Sequence, residues 1–304
     1  MPSRLSRAAL SRARHFVAAK GRLLDAVLMQ YALGEGEGTD ALVALAPYQN
    51  DDGGFGHGLE PDLRTPASTA IATSTALQIL RRIKAPADHP LVDAVVGYLV
   101  ATVDRDLGVW PIIGPEVDEA PHAPWWHYGP DLAAAWNGFR FNPTAHLLAG
   151  LIDYRALVPA DLLAGLQARM LANVQATDRL DGAYDLMAAW RLAETPDLSA
   201  PLSDALTRLL EASLAAIATD DPHVNFLELA PPATGPLATL AAPRFAEAAR
   251  NAIATQGPDG NWAPFWEWKD VSAAGWFAAE ADWNSLLTRH TIEVLAAHDL
   301  IEPA

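Results

Sequence analysis

What is missing from this sequence narrows it first. Among its 304 residues there is no cysteine, so a disulfide framework, a thiolate metal centre and a thiol nucleophile are all excluded. Positive charge is scarce too, with 21 Lys and Arg against 37 Asp and Glu and a formal net charge of −16. Such a surface repels nucleic acid and anionic membrane unless a basic patch is segregated. Arg4, Arg7, Arg12, Arg14, Lys20 and Arg22 form the basic patch, alternating with Leu5, Ala9, Leu10, Phe16 and Val17 at helical spacing. They read as a solvated first helix, with weak peripheral contact to a membrane or partner as the sharper alternative. No apolar run approaches the roughly 20 residues of a membrane span, and no secretory-type apolar stretch stands near the start. The expectation is a cytoplasmic protein with no nucleic-acid partner and no stable membrane insertion; its oligomeric state stays open.

Strand signals are equally rare. Ala and Leu recur at helical spacing throughout, while β-branched residues seldom alternate with polar ones. The pattern predicts an all-α protein of about eleven or twelve helices. They span Leu5–Leu33 with a break near Gly21, Thr39–Tyr48, Ser68–Ile83, Pro90–Val103, Pro143–Tyr154, Pro159–Asn173, Asp181–Leu192, Ala200–Ile217, Pro236–Leu240, Pro243–Gln256 and Trp283–His298. Pro in a first turn, or Ser, Thr or Asp at a cap, sets many of these starts. Three long connections remain, 49–66, 104–142 and 257–282. Their length and aromatic content mark them as ordered and functional, converging on one site.

One phrase recurs in those connections. Gln49-Asn50-Asp51-Asp52-Gly53-Gly54-Phe55 and Gln256-Gly257-Pro258-Asp259-Gly260-Asn261-Trp262 share a Gln-x-x-Asp-Gly-x-aromatic frame. A weaker copy is Gln175 to Asp178 with Asp181-Gly182-Ala183-Tyr184 displaced behind it. Gly after Asp permits a tight turn, Asp and Gln satisfy helix-end groups, and the ring fills the gap between neighbouring helices. The frame therefore reads as structural brickwork between stacked helical pairs.

The frame resembles the Gln/Trp repeat of the terpenoid cyclase and protein prenyltransferase superfamily, in particular the squalene–hopene cyclase type. Ser74-Thr75-Ala76-Leu77-Gln78-Ile79-Leu80 is similar to the inner-helix segment that follows the repeat there. The resemblance implies a single α/α toroid over the whole chain, inner helices around a cavity and outer helices wrapping them, with long aromatic loops at one mouth. It also implies chemistry on an isoprenoid. The prenyltransferase zinc set includes a Cys, which this chain lacks. Neither Asp51-Asp52-Gly53-Gly54-Phe55 nor Asp220-Asp221-Pro222-His223-Val224 completes the Asp-Asp-x-x-Asp element of magnesium-dependent ionisation. The proton-donating Asp-x-Asp-Asp element has its nearest counterpart in Glu116-Val117-Asp118-Glu119, so the resemblance places the acid at Asp118. No cofactor and no metal ligand is expected.

Protonating an alkene needs a poised carboxylic acid in dry surroundings, and aromatic faces stabilise the cation by roughly 0.5–2 kcal/mol each. Around Asp118 stand Glu116, Glu119, His122, Trp125, Trp126, His127 and Trp136; the plain alternative is a Pro-stiffened flap whose rings only pack. Glu60, Asp62, His57 and Arg64 form a second set beside Phe55, with Glu60 or Asp62 as general acid or base, or as ordinary ion-pair partners of Arg64. Trp262, Trp266 and Trp268 head a third, aromatic set that also contains Glu267, Asp270, Trp276, Glu280 and Trp283. His146 and His223 stand alone and read as core histidines. Two other functions stay open. Paired carboxylates with Trp faces suit a glycoside-processing α/α barrel, and an aromatic cavity without an acid suits a non-catalytic small-ligand binder.

Overall fold

Caps written into the sequence start the helices. Ser6 Oγ accepts from Ala9 N ahead of α1 (Arg7–Lys20), Thr69 Oγ1 accepts from Ala72 N ahead of α4 (Ala70–Arg82), and His89 caps α5 (Pro90–Thr102), whose first residue is proline. The computed structural model describes residues 4–130, 138–180, 182–216, 226–229 and 236–303. The remaining helices are α2 (Leu23–Ala32), α3 (Gly38–Leu45), α6 (Phe141–Asp153), α7 (Ala160–Ala176), α8 (Ala183–Ala193), α9 (Ala200–Ala216), the single turn α10 (Phe226–Leu229), α11 (Pro236–Ala254) and α12 (Ala273–Ala297). Among the described residues β-structure is limited to isolated bridges, so the chain is all-α as expected.

Most expected boundaries shift by up to about three residues, and two expectations change more. The two segments read around Pro243 form one helix, α11, with Pro243 inside it. The last helix starts at Ala273, not Trp283, because Ser272 Oγ accepts from Gly275 N and opens the helix there; the third long connection is correspondingly shorter than expected.

The chain divides into two compact units, one made of residues 1–46 and 225–304 and the other of residues 47–224. In the first, α2 packs on α12 and on α3, and α1 lies against both α12 and α2. Its core joins Ala9, Ala13, Phe16 and Val17 of α1 to Phe245 and Ala249 of α11 and to Ile292 and Leu295 of α12. The ends are zipped: Leu5 N donates to Leu300 O at 2.8 Å and Glu302 N to Leu5 O at 3.0 Å. In the second unit α4, α6 and α8 pack side by side in a row, and α5, α7 and α9 lie against that row. α6 is buried from Pro143 to Ile152 on every face, the mark of a helix wrapped by others.

The recurring frame proves to be one piece of geometry used twice. Gln49 Nε2 donates to Gly53 O (3.0 Å) and to Leu91 O of α5 (3.1 Å); Gln256 Nε2 donates to Gly260 O and to Ala9 O of α1, both at 2.9 Å. Phe55 N donates to Thr73 Oγ1 of α4 and Trp262 N to Thr288 Oγ1 of α12, each at 3.0 Å. Gly53 and Gly260 sit at φ +89° and +95°. A Cβ there would stand 2.2 Å from Ala94 O or 2.6 Å from the backbone of Arg12, so only glycine fits.

A third copy is present where the sequence did not show it. Asp104 N donates to Val109 O at 2.8 Å and Gly108 N to Asp104 O at 2.7 Å, Gly108 has φ +70°, and Trp110 Nε1 donates to Leu99 O at 2.9 Å as Trp262 Nε1 does to Ala252 O. Val103 occupies the Gln position and the turn carries one more residue. The weaker copy expected at Gln175 does not take this form: Gly182 has φ −117°, and Asp181 lies outside the described residues.

Candidate active site

The third turn matters because the segment 111–140 lies between Trp110 and the helix that should follow it. This insertion carries the Asp118 set. Its Pro115–Glu119 and Pro124–Trp126 stretches form short 3-10 turns, each opened by a proline whose fixed φ suits a first turn. The insertion docks on the loop that carries Glu60, Asp62 and Arg64. Arg64 N donates to Pro121 O at 3.0 Å and Ala123 N to Asp62 O at 2.9 Å, and Leu63 and His122 form an antiparallel bridge. Two of the three sets read from the sequence are thus brought together.

Their members differ in surroundings. Of Glu60, Asp62, Glu116, Asp118 and Glu119, Asp62 is buried, Glu60 and Glu116 are half-buried, and Asp118 and Glu119 are exposed. The Asp118 side chain keeps 33% of its surface in water, which is not the dry setting an alkene-protonating acid requires. Asp118 Oδ1 instead accepts from Tyr128 N at 2.9 Å and faces His127 Nδ1 at 3.1 Å and His122 Nε2 at 3.5 Å. The two imidazoles are stacked with centroids 6.0 Å apart, and His122 Nδ1 lies 2.8 Å from Ala120 O. Trp126 is buried and Trp125 exposed. Trp136 lies outside the described residues, as does His223.

In the other loop, Phe55 is wholly buried as the ring of the first turn, so it is a packing residue. His57 Nε2 pairs with Asn50 Oδ1 at 2.8 Å, and the Arg64 guanidinium lies over Gly58. The third set belongs to the unit that holds both chain ends. There Trp262 is the ring of the second turn, Trp266 meets Trp283 edge-on at 5.0 Å, and Trp268 meets Trp276 at 5.8 Å. These rings pack on one another.

Beside the insertion, Ser68, Tyr98, Trp110, Ile113 and Glu116 line a cavity of about 180 Å³. Burial, then the charges of Asp52 and Glu116, push the Tyr98 phenol up to about 12, so it offers a neutral hydroxyl. His146 in α6 is driven the other way, to about 3, by burial and then by Arg191 and Arg81, so it is a neutral imidazole as the sequence reading expected of a core histidine.

One acidic residue escaped the sequence reading. Asp185, in the first turn of α8, accepts from Asn142 N at 2.9 Å, where α6 begins. Its carboxyl is raised above the usual range by burial, a shift that the Asn142 amide and the Arg140 charge only partly offset. The available signal was an acid one turn into a predicted helix, a placement ordinarily explained by the helix dipole alone.

No protein-family model, curated protein or solved structure matches the chain.

Proposed function

We propose that the chain forms an α/α toroid of the terpenoid-cyclase type and acts on an isoprenoid or similarly apolar substrate by proton-initiated cyclisation or isomerisation, with Asp185 as the acid. What supports the toroid is alternation in the second unit, where α4, α6 and α8 pack in a row and α5, α7 and α9 cover it, and the repeat of the glycine turn ahead of α4 and α12. The observation that carries the chemistry is Asp185 itself, a half-buried carboxyl whose hold on its proton is raised, chiefly by that burial, where the N-terminal ends of α6 and α8 join. Burial favours the protonated form of this carboxyl, and a carboxylic acid is the group such a step consumes, because the proton must pass to carbon before any charge is stabilised. Asp62, which is buried where Asp185 is half-buried, takes the place of Asp118 as the second acid. Asp118 sits too wet for either role.

The test is turnover of prenyl alcohols and prenyl diphosphates by Asp185→Asn, Asp62→Asn and Asp118→Asn chains. Asn retains the oxygen that accepts from Asn142 N but has no acidic proton. Asp185→Asn is expected to lose on the order of a hundredfold or more in turnover, Asp118→Asn no more than a few-fold. Full turnover by Asp185→Asn, or activity on oligosaccharides in place of prenyl compounds, would overturn the reading.

A further inference from the structure

We infer that Asp118, His122 and His127 form a binding site for one divalent transition-metal ion of the zinc class. The donor atoms, Asp118 Oδ1 and one nitrogen of each imidazole, lie within 4.8 Å of one another. Asp118 Oδ1 stands 3.1 Å from His127 Nδ1 and 3.5 Å from His122 Nε2. Ligands on a tetrahedral zinc with bonds of about 2.0–2.1 Å stand roughly 3.3–3.4 Å from one another, so those two separations already span what an ion between them requires.

The proton on His122 is what turns proximity into a site. Ala120 O has no hydrogen to give, so the 2.8 Å contact with His122 Nδ1 requires Nδ1 to carry the proton. In the neutral ring Nε2 then presents a lone pair directly at the carboxylate oxygen. A cation placed between Nε2 and Oδ1 is then held by both lone pairs. A ligating imidazole whose other N–H is fixed by a backbone carbonyl, and a ligating carboxylate steadied by a backbone N–H, here Tyr128 N at 2.9 Å, are the outer-shell supports that metal sites use. Imidazole and carboxylate together select zinc, cobalt or nickel over magnesium, which demands oxygen donors. Three protein ligands leave a fourth position, and the His127 side chain, 60% exposed, places the site at the protein surface with water at hand.

The site stands independently of the cyclisation chemistry, since Asp185 and Asp62 are not among its ligands. Its test uses the full chain without a polyhistidine tag, stripped with chelator and titrated with zinc by calorimetry and with cobalt by visible absorption. One ion per chain is expected, with cobalt bands of nitrogen and oxygen ligation, a rise in the thermal midpoint on adding zinc, and no heat from magnesium. Because His127 is largely exposed, His127→Ala leaves the fold intact; it and His122→Ala are each expected to weaken zinc binding at least tenfold and to abolish the thermal shift. His15→Ala, on the exposed face of α1, leaves both unchanged. Absence of stoichiometric binding by the parent chain, or equal binding by His127→Ala, would show that the cluster is only a carboxylate hydrogen-bonded to two histidines.

Discussion

Gln256 donates through its Nε2 to the carbonyl of Ala9 at 2.9 Å, tying the turn that precedes α12 to the helix that opens the chain. The same nitrogen closes its own turn on Gly260 O, and Gln256 Oε1 accepts from Arg12 Nη2 at 2.8 Å. One amide therefore holds a turn and a neighbouring helix in fixed register.

Gln256→Ala removes both donations and is expected to cost about 1–3 kcal/mol, at a net 0.5–1.5 kcal/mol per hydrogen bond. Gln256→Glu is expected to cost more than the alanine change, because a carboxylate brings an acceptor to two carbonyl oxygens. Urea unfolding followed by circular dichroism checks both. If the glutamate variant proves as stable as the parent, the amide does not perform this bridging role.

A second tie in the same unit is ionic. Asp25 is fully buried and accepts from Arg22 Nε at 2.7 Å and Arg289 Nε at 3.1 Å, while Arg289 Nη1 donates to Glu293 Oε2 at 2.7 Å. Burial works against the Arg289 charge, but Glu293 and Asp25 more than compensate and raise its affinity for the proton. Removing one partner strands the others away from water, so Asp25→Ala is expected to lose about 3–5 kcal/mol. The exposed pair Lys20–Asp259 at 3.0 Å provides the contrast, with Lys20→Ala costing at most about 1 kcal/mol, and less in high salt. Comparable losses in the two variants would contradict this account.

These two ties differ in how far the sequence announced them. The Gln-x-x-Asp-Gly-x-aromatic frame is local, its Gly and its ring each answer a local need, and both copies are legible. The Asp25 network joins residues far apart in the chain, and no periodicity in α2 or α12 distinguishes a charge that will be buried from one that will be solvated. The helix start at Pro90 was legible through its proline and that of α4, expected at Ser68 and capped by Thr69, to within two residues; the start at Ala273 was not, because Trp276 and Phe277 made the segment resemble a connection. Asp118, His122 and His127 meet across an insertion punctuated by Pro115, Pro121 and Pro124, and such a path leaves no spacing rule in the sequence. Asp185 looked like any acid in a first turn until its partial burial and its bond from Asn142 N were seen.

His146 provides a pH signature. Its folded value is pushed down to about 3, whereas an unfolded histidine takes a proton near pH 6.5. Below that pH the unfolded chain binds a proton the folded chain refuses, so this stabilisation is complete above about pH 6.5 and is lost on acidification at about 1.4 kcal/mol per pH unit. Denaturation curves at about pH 7 and about pH 5 should diverge by correspondingly more in the parent than in His146→Gln, which cannot titrate. Parallel pH profiles for the two chains would show that His146 is protonated in the folded state.

The third glycine turn allows the role of backbone space to be separated from that of backbone conformation. Gly108 and Gly260 both have positive φ, +70° and +95°, so alanine at either position incurs a similar conformational cost of about 1 kcal/mol or more. Their neighbours differ. A Cβ on Gly260 would meet the backbone of Arg12 at 2.6 Å, whereas on Gly108 it would meet Arg169 Cδ at 2.5 Å, part of a flexible side chain that can swing aside. Gly260→Ala must push α1 off its turn and so strain the Gln256 bond to Ala9. Gly108→Ala need only displace Arg169 and its 3.0 Å bond to Arg105 O. Gly260→Ala is therefore expected to destabilise by about 1–3 kcal/mol more than Gly108→Ala, the overpacking strain that helix displacement adds. Equal losses in urea unfolding would mean that conformation alone, and not the close approach of α1, demands glycine in these turns.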